Sequence, residues 1–125
     1  MKKKILIIDD DEIFLEELKE IIESNGFIAV GVKDSLLARE VVKKENPDLI
    51  LLDLKMPGKS GFQVADELKH ATELSRRPII AMSGFFTKTE HFLLMQLCGI
   101  QQCIKKPFLP AEMISLINLA LQNRT

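Results

Sequence analysis

Charge of one sign, long apolar runs and cysteine are all scarce in this sequence, and each scarcity narrows what it can do. Lys and Arg total 17 against 18 Asp and Glu, for a formal net charge of −1. So even a balance gives no electrostatic reason to expect direct nucleic-acid binding or an anionic membrane as partner. No apolar stretch approaches the roughly 18 residues needed to span a bilayer. The start, Met1 to Lys4 followed by Ile5 to Ile8, looks superficially like a signal peptide. Its apolar stretch, however, runs straight into Asp9, Asp10 and Asp11, which no membrane-inserting segment tolerates. The chain therefore reads as cytoplasmic. Cys98 and Cys103 have no His or further Cys at metal-ligand spacing and read as buried, reduced thiols. The 2 histidines, His70 and His91, lie in none of the motifs below and read as surface residues.

What is present is the material of one ordinary domain. The chain has 125 residues, of which 46% are hydrophobic and 28% charged, the balance of a globular rather than a disordered chain. It contains no repeat, low-complexity segment or internal linker, so residues 1–125 are expected to form a single domain.

Short apolar runs alternate with amphipathic stretches. The runs are Ile5–Ile8, Ile28–Val32, Leu49–Leu52, Ile79–Met82 and Gln102–Ile104. Most are β-branched or leucine-rich without polar alternation, as expected of strands covered on both faces of a parallel sheet. Phe14, Leu18, Ile21 and Ile22 share one stripe of a first helix, which Asn25-Gly26 stops. Leu36, Leu37, Val41 and Val42 suggest a second helix, ended before Asn46-Pro47 because the residue before proline disfavours the α region. Phe62, Ala65 and Leu68 mark a third, and Phe92, Leu93 and Leu97 a fourth ahead of Gly99. Met113, Ile114, Ile117, Ala120 and Leu121 make a fifth, with Pro110 near its first turn. Five such βα units imply an α/β fold, a right-handed parallel sheet with helices on both faces.

In an open α/β sheet, ligands bind beyond the carboxyl ends of the strands. Asp9, Asp10 and Asp11 follow the first run, Asp53 the third, Ser83 the fourth, and Lys105 and Lys106 the fifth, before Pro107. Carboxylates crowded on one rim cannot all ionise comfortably unless a cation holds them. Hard oxygen ligands suit Mg²⁺, and a lysine and a hydroxyl beside them suit phosphoryl transfer by placement and electrostatics. The nucleophile would be an aspartate, forming an aspartyl phosphate. Asp11 reads instead as the N-cap of the first helix, Lys105 as a solvated rim charge, and Pro57, Gly58 and Gly61 as turn chemistry.

The segments KILIIDDDE (Lys4 to Glu12), LILLDLKMPGKSGF (Leu49 to Phe62), PIIAMSG (Pro78 to Gly84) and IKKPF (Ile104 to Phe108) resemble the motif blocks of response-regulator receiver domains. They occur in that family's order and spacing over essentially the whole chain. The resemblance implies a flavodoxin-like (βα)₅ doubly wound sheet of five parallel strands in the order 2-1-3-4-5. It implies that Asp53 accepts a phosphoryl group, that Asp10 ligates Mg²⁺ directly and Asp9 mainly through water, and that the Lys55 carbonyl is a further metal ligand. Ser83 matches the hydroxyl that swings to a phosphoryl oxygen, and Lys106 the lysine that pairs with it. The Lys106–Pro107 peptide is expected to be cis. The implied donor is a histidine kinase or histidine phosphotransfer protein. The implied output is a change in the face formed by the fourth helix, fifth strand and fifth helix, read by a partner or output domain not named by the sequence, through Phe85, Phe86, Phe92 and Met95. The chain would be a signalling switch rather than an enzyme, catalysing only its own phosphorylation and slow dephosphorylation.

Two departures from the family pattern matter. Cys103 stands where the family usually has an aromatic residue that reports phosphorylation by turning inward. Lys55 and Phe85 flank the acceptor, where a long cation and a bulky ring would hinder the attacking water, so slow self-dephosphorylation is expected. Three rivals remain on sequence alone. An aspartate-nucleophile phosphatase would want a second carboxylate two residues after the nucleophile, where this chain has Lys55. An interaction module working without phosphorylation would not need Asp10, Asp53, Ser83 and Lys106 together. A flavin or nucleotide binder would need a phosphate-cradling loop where the three aspartates stand.

Overall fold

The computed structural model describes residues 1–71, 77–84, 93, 95–100 and 102–122. Five strands, β1 (Lys4–Ile8), β2 (Ile28–Val32), β3 (Leu49–Asp53), β4 (Ile79–Ser83) and β5 (Gln102–Lys105), form one parallel sheet in the order β2-β1-β3-β4-β5. The expected α/β fold and strand order are both present. β3, β4 and β5 run one residue further than their apolar runs, so that Asp53, Ser83 and Lys105 are their last residues rather than the first beyond them.

The period-two alternation of each strand divides the core into two layers. Ile5, Ile7, Leu49, Leu51, Ile80 and Met82 pack with Leu15, Leu18 and Ile22 of helix α1 (Glu12–Ser24) and with Met113, Ile117 and Ala120 of the C-terminal helix, Pro110–Gln122. Leu6, Ile8, Ile50, Leu52 and Ala81 face the other way. They pack with Val42 of α2 (Ala38–Glu45), with Val64, Ala65 and Leu68 of α3 (Gly61–His70), and with Met95, Cys98 and Ile100. Strands buried on both faces carry no polar alternation, which is why the runs read as continuous.

Local chemistry sets the helix ends. Asp11 caps α1, its carboxylate accepting the Phe14 N–H, and Gly26 beyond the helix takes φ +90°, a conformation open to glycine. Asn46 closes α2 in the left-handed region. Ser60 and Gln63 form a reciprocal capping box at the start of α3, a feature the sequence carries as Ser-x-x-Gln but which the motif reading passed over.

Three expected stripes shift. Leu36 and Leu37 are exposed, because residues 35–37 form a 3₁₀ turn and α2 begins only at Ala38; the buried face is Ala38 and Val42. Leu93 and Leu97 are exposed while Met95 and Cys98 are buried, so the helical stretch there turns a different face to the sheet than expected. In α1 the buried stripe is Leu15, Leu18 and Ile22, with Phe14 and Ile21 half-buried. Cys98 is buried as expected and Cys103 only half-buried; both are free thiols. His70 is exposed, whereas His91 lies outside the described residues.

Candidate functional site

Doubly wound sheets leave a crevice at the carboxyl end of the central strands, and here the residue after β1 and the last residues of β3 and β4 lie there. Asp9 follows β1 directly, and its backbone N–H still reaches the Val32 carbonyl at 3.0 Å. That bond holds the Asp9 carboxylate in the interior, where it is wholly buried. Asp10 next to it is exposed. Asp53 ends β3 and is buried, and Ser83 ends β4, also buried, one residue beyond Met82, which pairs with Asp53.

Asp9, Asp10 and Asp53 converge as the rim argument expects: one carboxylate oxygen from each lies within 4.8 Å of the others. Lys106 enters from the segment after β5. Its Nζ stands 2.7 Å from Asp9 Oδ2 and 3.6 Å from Asp53 Oδ1. The Lys106–Pro107 peptide is cis, as the resemblance implied, and the Lys106 N–H donates to the Ser83 carbonyl at 2.7 Å, tying the lysine segment to the end of β4. Lys55 presents its backbone N–H to Asp53 Oδ1 at a long 3.5 Å, and its side chain is exposed. Asp11 is the α1 cap and stands apart from the carboxylate cluster; Lys105 is exposed.

The electrostatics follow from burial. The Asp53 carboxyl is pushed up to about 6, first by desolvation and then by the negative charge of Asp9, with Lys106 and the Lys55 N–H pulling the other way. A buried carboxylate beside two others, with one lysine between them, is short of positive charge. The donor set consists of hard oxygens, which fits a small divalent cation such as Mg²⁺.

The loop from β3 to α3 is built by close approach. A Cβ on Gly61 would lie 2.3 Å from the Asp53 carbonyl oxygen, so only glycine lets α3 start against the backbone of the site. Gly58 takes φ +80°, the turn chemistry expected of it. Ser35, buried beneath this turn, accepts the Lys59 N–H at 3.0 Å and donates to the Pro57 carbonyl at 2.9 Å. Sequence reasoning missed Ser35 and missed Phe14, whose ring lies under Lys106 with the ammonium 4.0 Å from its centroid. Of the residues expected to carry the output, Phe85, Phe86 and Phe92 lie outside the described residues, and Met95 is core.

Comparison with known proteins agrees with this geometry. The family model described as "Response regulator receiver domain" matches residues 5–118. The "Polar-differentiation response regulator DivK" of Brucella ovis is 31% identical over 117 residues, 94% of each chain. Among solved structures, the chemotaxis protein CheY4 of Vibrio cholerae superposes with a TM-score of 0.91 at 20% identity, covering 96% of this chain and 99% of that one. The signal receiver domain of a histidine kinase from Syntrophus aciditrophicus superposes with a TM-score of 0.88 at 27% identity, covering 98% and 94%. Family match, fold and site together place the chain in the response-regulator receiver domain family of two-component signalling.

Proposed function

We propose that the chain is a phosphorylation-activated switch that takes a phosphoryl group onto Asp53 from the phosphohistidine of a histidine kinase or histidine phosphotransfer protein. The observation that carries this reading is the convergence of Asp53 with Asp9, Asp10 and the Lys106 ammonium at the carboxyl end of the sheet. An Asp53 oxygen attacks the phosphorus, the P–N bond to the donor histidine breaks, and an aspartyl phosphate forms. Asp9, Asp10, Asp53 and the Lys55 carbonyl would hold Mg²⁺, which when bound neutralises charge on the carboxylates and the phosphoryl oxygens. Lys106 exchanges its contact with Asp9 for a phosphoryl oxygen, and the Ser83 hydroxyl accommodates another. The chemistry is stoichiometric, so the chain is a signalling component rather than an enzyme in the usual sense.

The new dianion biases an existing equilibrium in the segment after β4 and in the face made by residues 93 and 95–100, β5 and the C-terminal helix, which a partner or output domain reads. Cys103 on β5 cannot sweep the volume of an aromatic ring, so the readout rests on other side chains of that face. Among the described residues no helix is long and apolar enough to cross a membrane. The reading takes donor and partners to be cytoplasmic proteins, with no direct contact to nucleic acid or membrane. The test is intact mass after incubation with acetyl phosphate and Mg²⁺. One added phosphoryl group, absent in Asp53→Asn, supports the proposal; no gain in the wild type favours a receiver-like module that works without phosphorylation.

A further inference from the structure

We infer that Phe14 is a positioning residue for Lys106, holding the ammonium over the gap between Asp9 and Asp53. The functional consequence rests on the phosphoryl-transfer reading; the contact itself does not. By sequence Phe14 belongs to the apolar stripe of the first helix. In the structure it is half-buried, at the edge of the core cluster that contains Leu15, Leu18 and Ile22. Its ring also carries a cation, with the Lys106 Nζ 4.0 Å from the centroid. The ring is braced edge-to-face by Phe108, with centroids 5.9 Å apart and planes at 84°.

These contacts close a circuit. Asp9 Oδ1 accepts the Asp11 N–H at 2.9 Å, and Asp11 Oδ1 accepts the Phe14 N–H at 3.2 Å. The Phe14 ring carries the ammonium, and that ammonium returns to Asp9 Oδ2 at 2.7 Å. The helix cap, the buried aspartate and the lysine are thus set by one another, with the ring as the only apolar link. A leucine here would cover the lysine stem but offer no negative π-face. With the side chain of Lys106 23% exposed, the ammonium would then spend more time in water. On the ring it needs to move only from Asp9 toward a phosphoryl oxygen on Asp53.

The contact is tested by NMR on the whole chain, without phosphorylation. The Lys106 Hε resonances are expected upfield of those of the other lysines, through the ring current. The shift should persist in Phe14→Tyr and vanish in Phe14→Leu. Its absence in the wild type overturns the inference, and this reading survives even if Phe14→Leu does not fold. The consequence is tested by the rate of phosphorylation with acetyl phosphate at saturating Mg²⁺. Phe14→Leu should be slower by about 3- to 10-fold, the size of one cation–π contact, and Phe14→Tyr close to wild type. A Phe14→Leu rate equal to wild type, or a Phe14→Tyr rate as low as that of Phe14→Leu, overturns it. A ring-current shift in a wild type that gains no phosphoryl group leaves the contact standing and defeats the phosphoryl-transfer reading instead.

Discussion

The ammonium of Lys106 stands 2.7 Å from Asp9 Oδ2, and Asp9 is wholly buried. Apart from that ammonium, the carboxylate of Asp9 receives the N–H of Asp11. Removing the lysine therefore leaves a buried negative charge next to that of Asp53. Truncation of one partner of such a pair is costly because the other keeps its desolvation penalty. Lys106→Met is expected to lower unfolding stability by about 1–3 kcal/mol without metal, below the fully buried range because the lysine is partly exposed. Urea unfolding with and without Mg²⁺ checks this: the loss should shrink when the cation is supplied. A loss of the same size in both conditions would contradict the idea that the cation and Lys106 answer the same charge.

Asp53 gives stability a pH dependence of unusual sign for a carboxylate. Its folded value is about 6 against an ordinary 3.8, so between these values the folded state binds more protons than the unfolded one. Stability from this group is therefore present below about 4 and is lost as pH rises through 6. A shift of that size corresponds to at most roughly 3 kcal/mol at neutral pH. Asp53→Asn should be more stable than wild type at pH 7 without metal, with the difference vanishing toward pH 4. Parallel urea titrations across this range decide it, and equal stabilities at pH 7 would contradict the account.

Gly61 is irreplaceable for a reason independent of charge. An added Cβ meets the Asp53 carbonyl at 2.3 Å and the Leu54 Cα at 2.6 Å, both backbone atoms that cannot step aside cheaply. Gly61→Ala is expected to cost about 1–3 kcal/mol and to displace the end of β3. The displacement would appear as slower phosphorylation at saturating Mg²⁺. Thermal melts and phosphorylation rates near wild type would show that α3 can retreat without disturbing Asp53.

The exposed Lys55 follows Asp53, the proposed acceptor, by two residues, and its bulk is expected to hinder water that attacks an aspartyl phosphate there. Lys55→Ala should therefore shorten the half-life of the phosphorylated form, followed by intact mass after donor removal. An unchanged or longer half-life would locate the control of lifetime elsewhere.

The strands and the rim residues Asp9, Asp10, Asp53, Ser83 and Lys106 were legible because buried parallel strands read as apolar runs and their ends face the crevice; the strand order came from the resemblance to receiver domains. Helix faces were less legible. Leu36 and Leu37 fit a helical spacing but precede α2 by a 3₁₀ turn, so the spacing has no single face to report. Leu93, Met95, Leu97 and Cys98 place apolar residues on both sides of one helical stretch, and only packing decides that Met95 and Cys98 go inward. Phe14 does pack at the edge of the core, but its contact with Lys106 was not legible, because no local rule links a helix position to a lysine beyond the last strand. Ser35 escaped for the same reason: its partners, Pro57 and Lys59, belong to another loop.

The most direct test of the central claim is chemical location of the phosphoryl group. The protein is incubated with acetyl phosphate and Mg²⁺, the acyl phosphate is reduced with borohydride, and peptides are sequenced by mass spectrometry. The account predicts homoserine at position 53, formed only when Mg²⁺ was present. Homoserine at Asp9 or Asp10 in place of Asp53, or at none of the three, would contradict it.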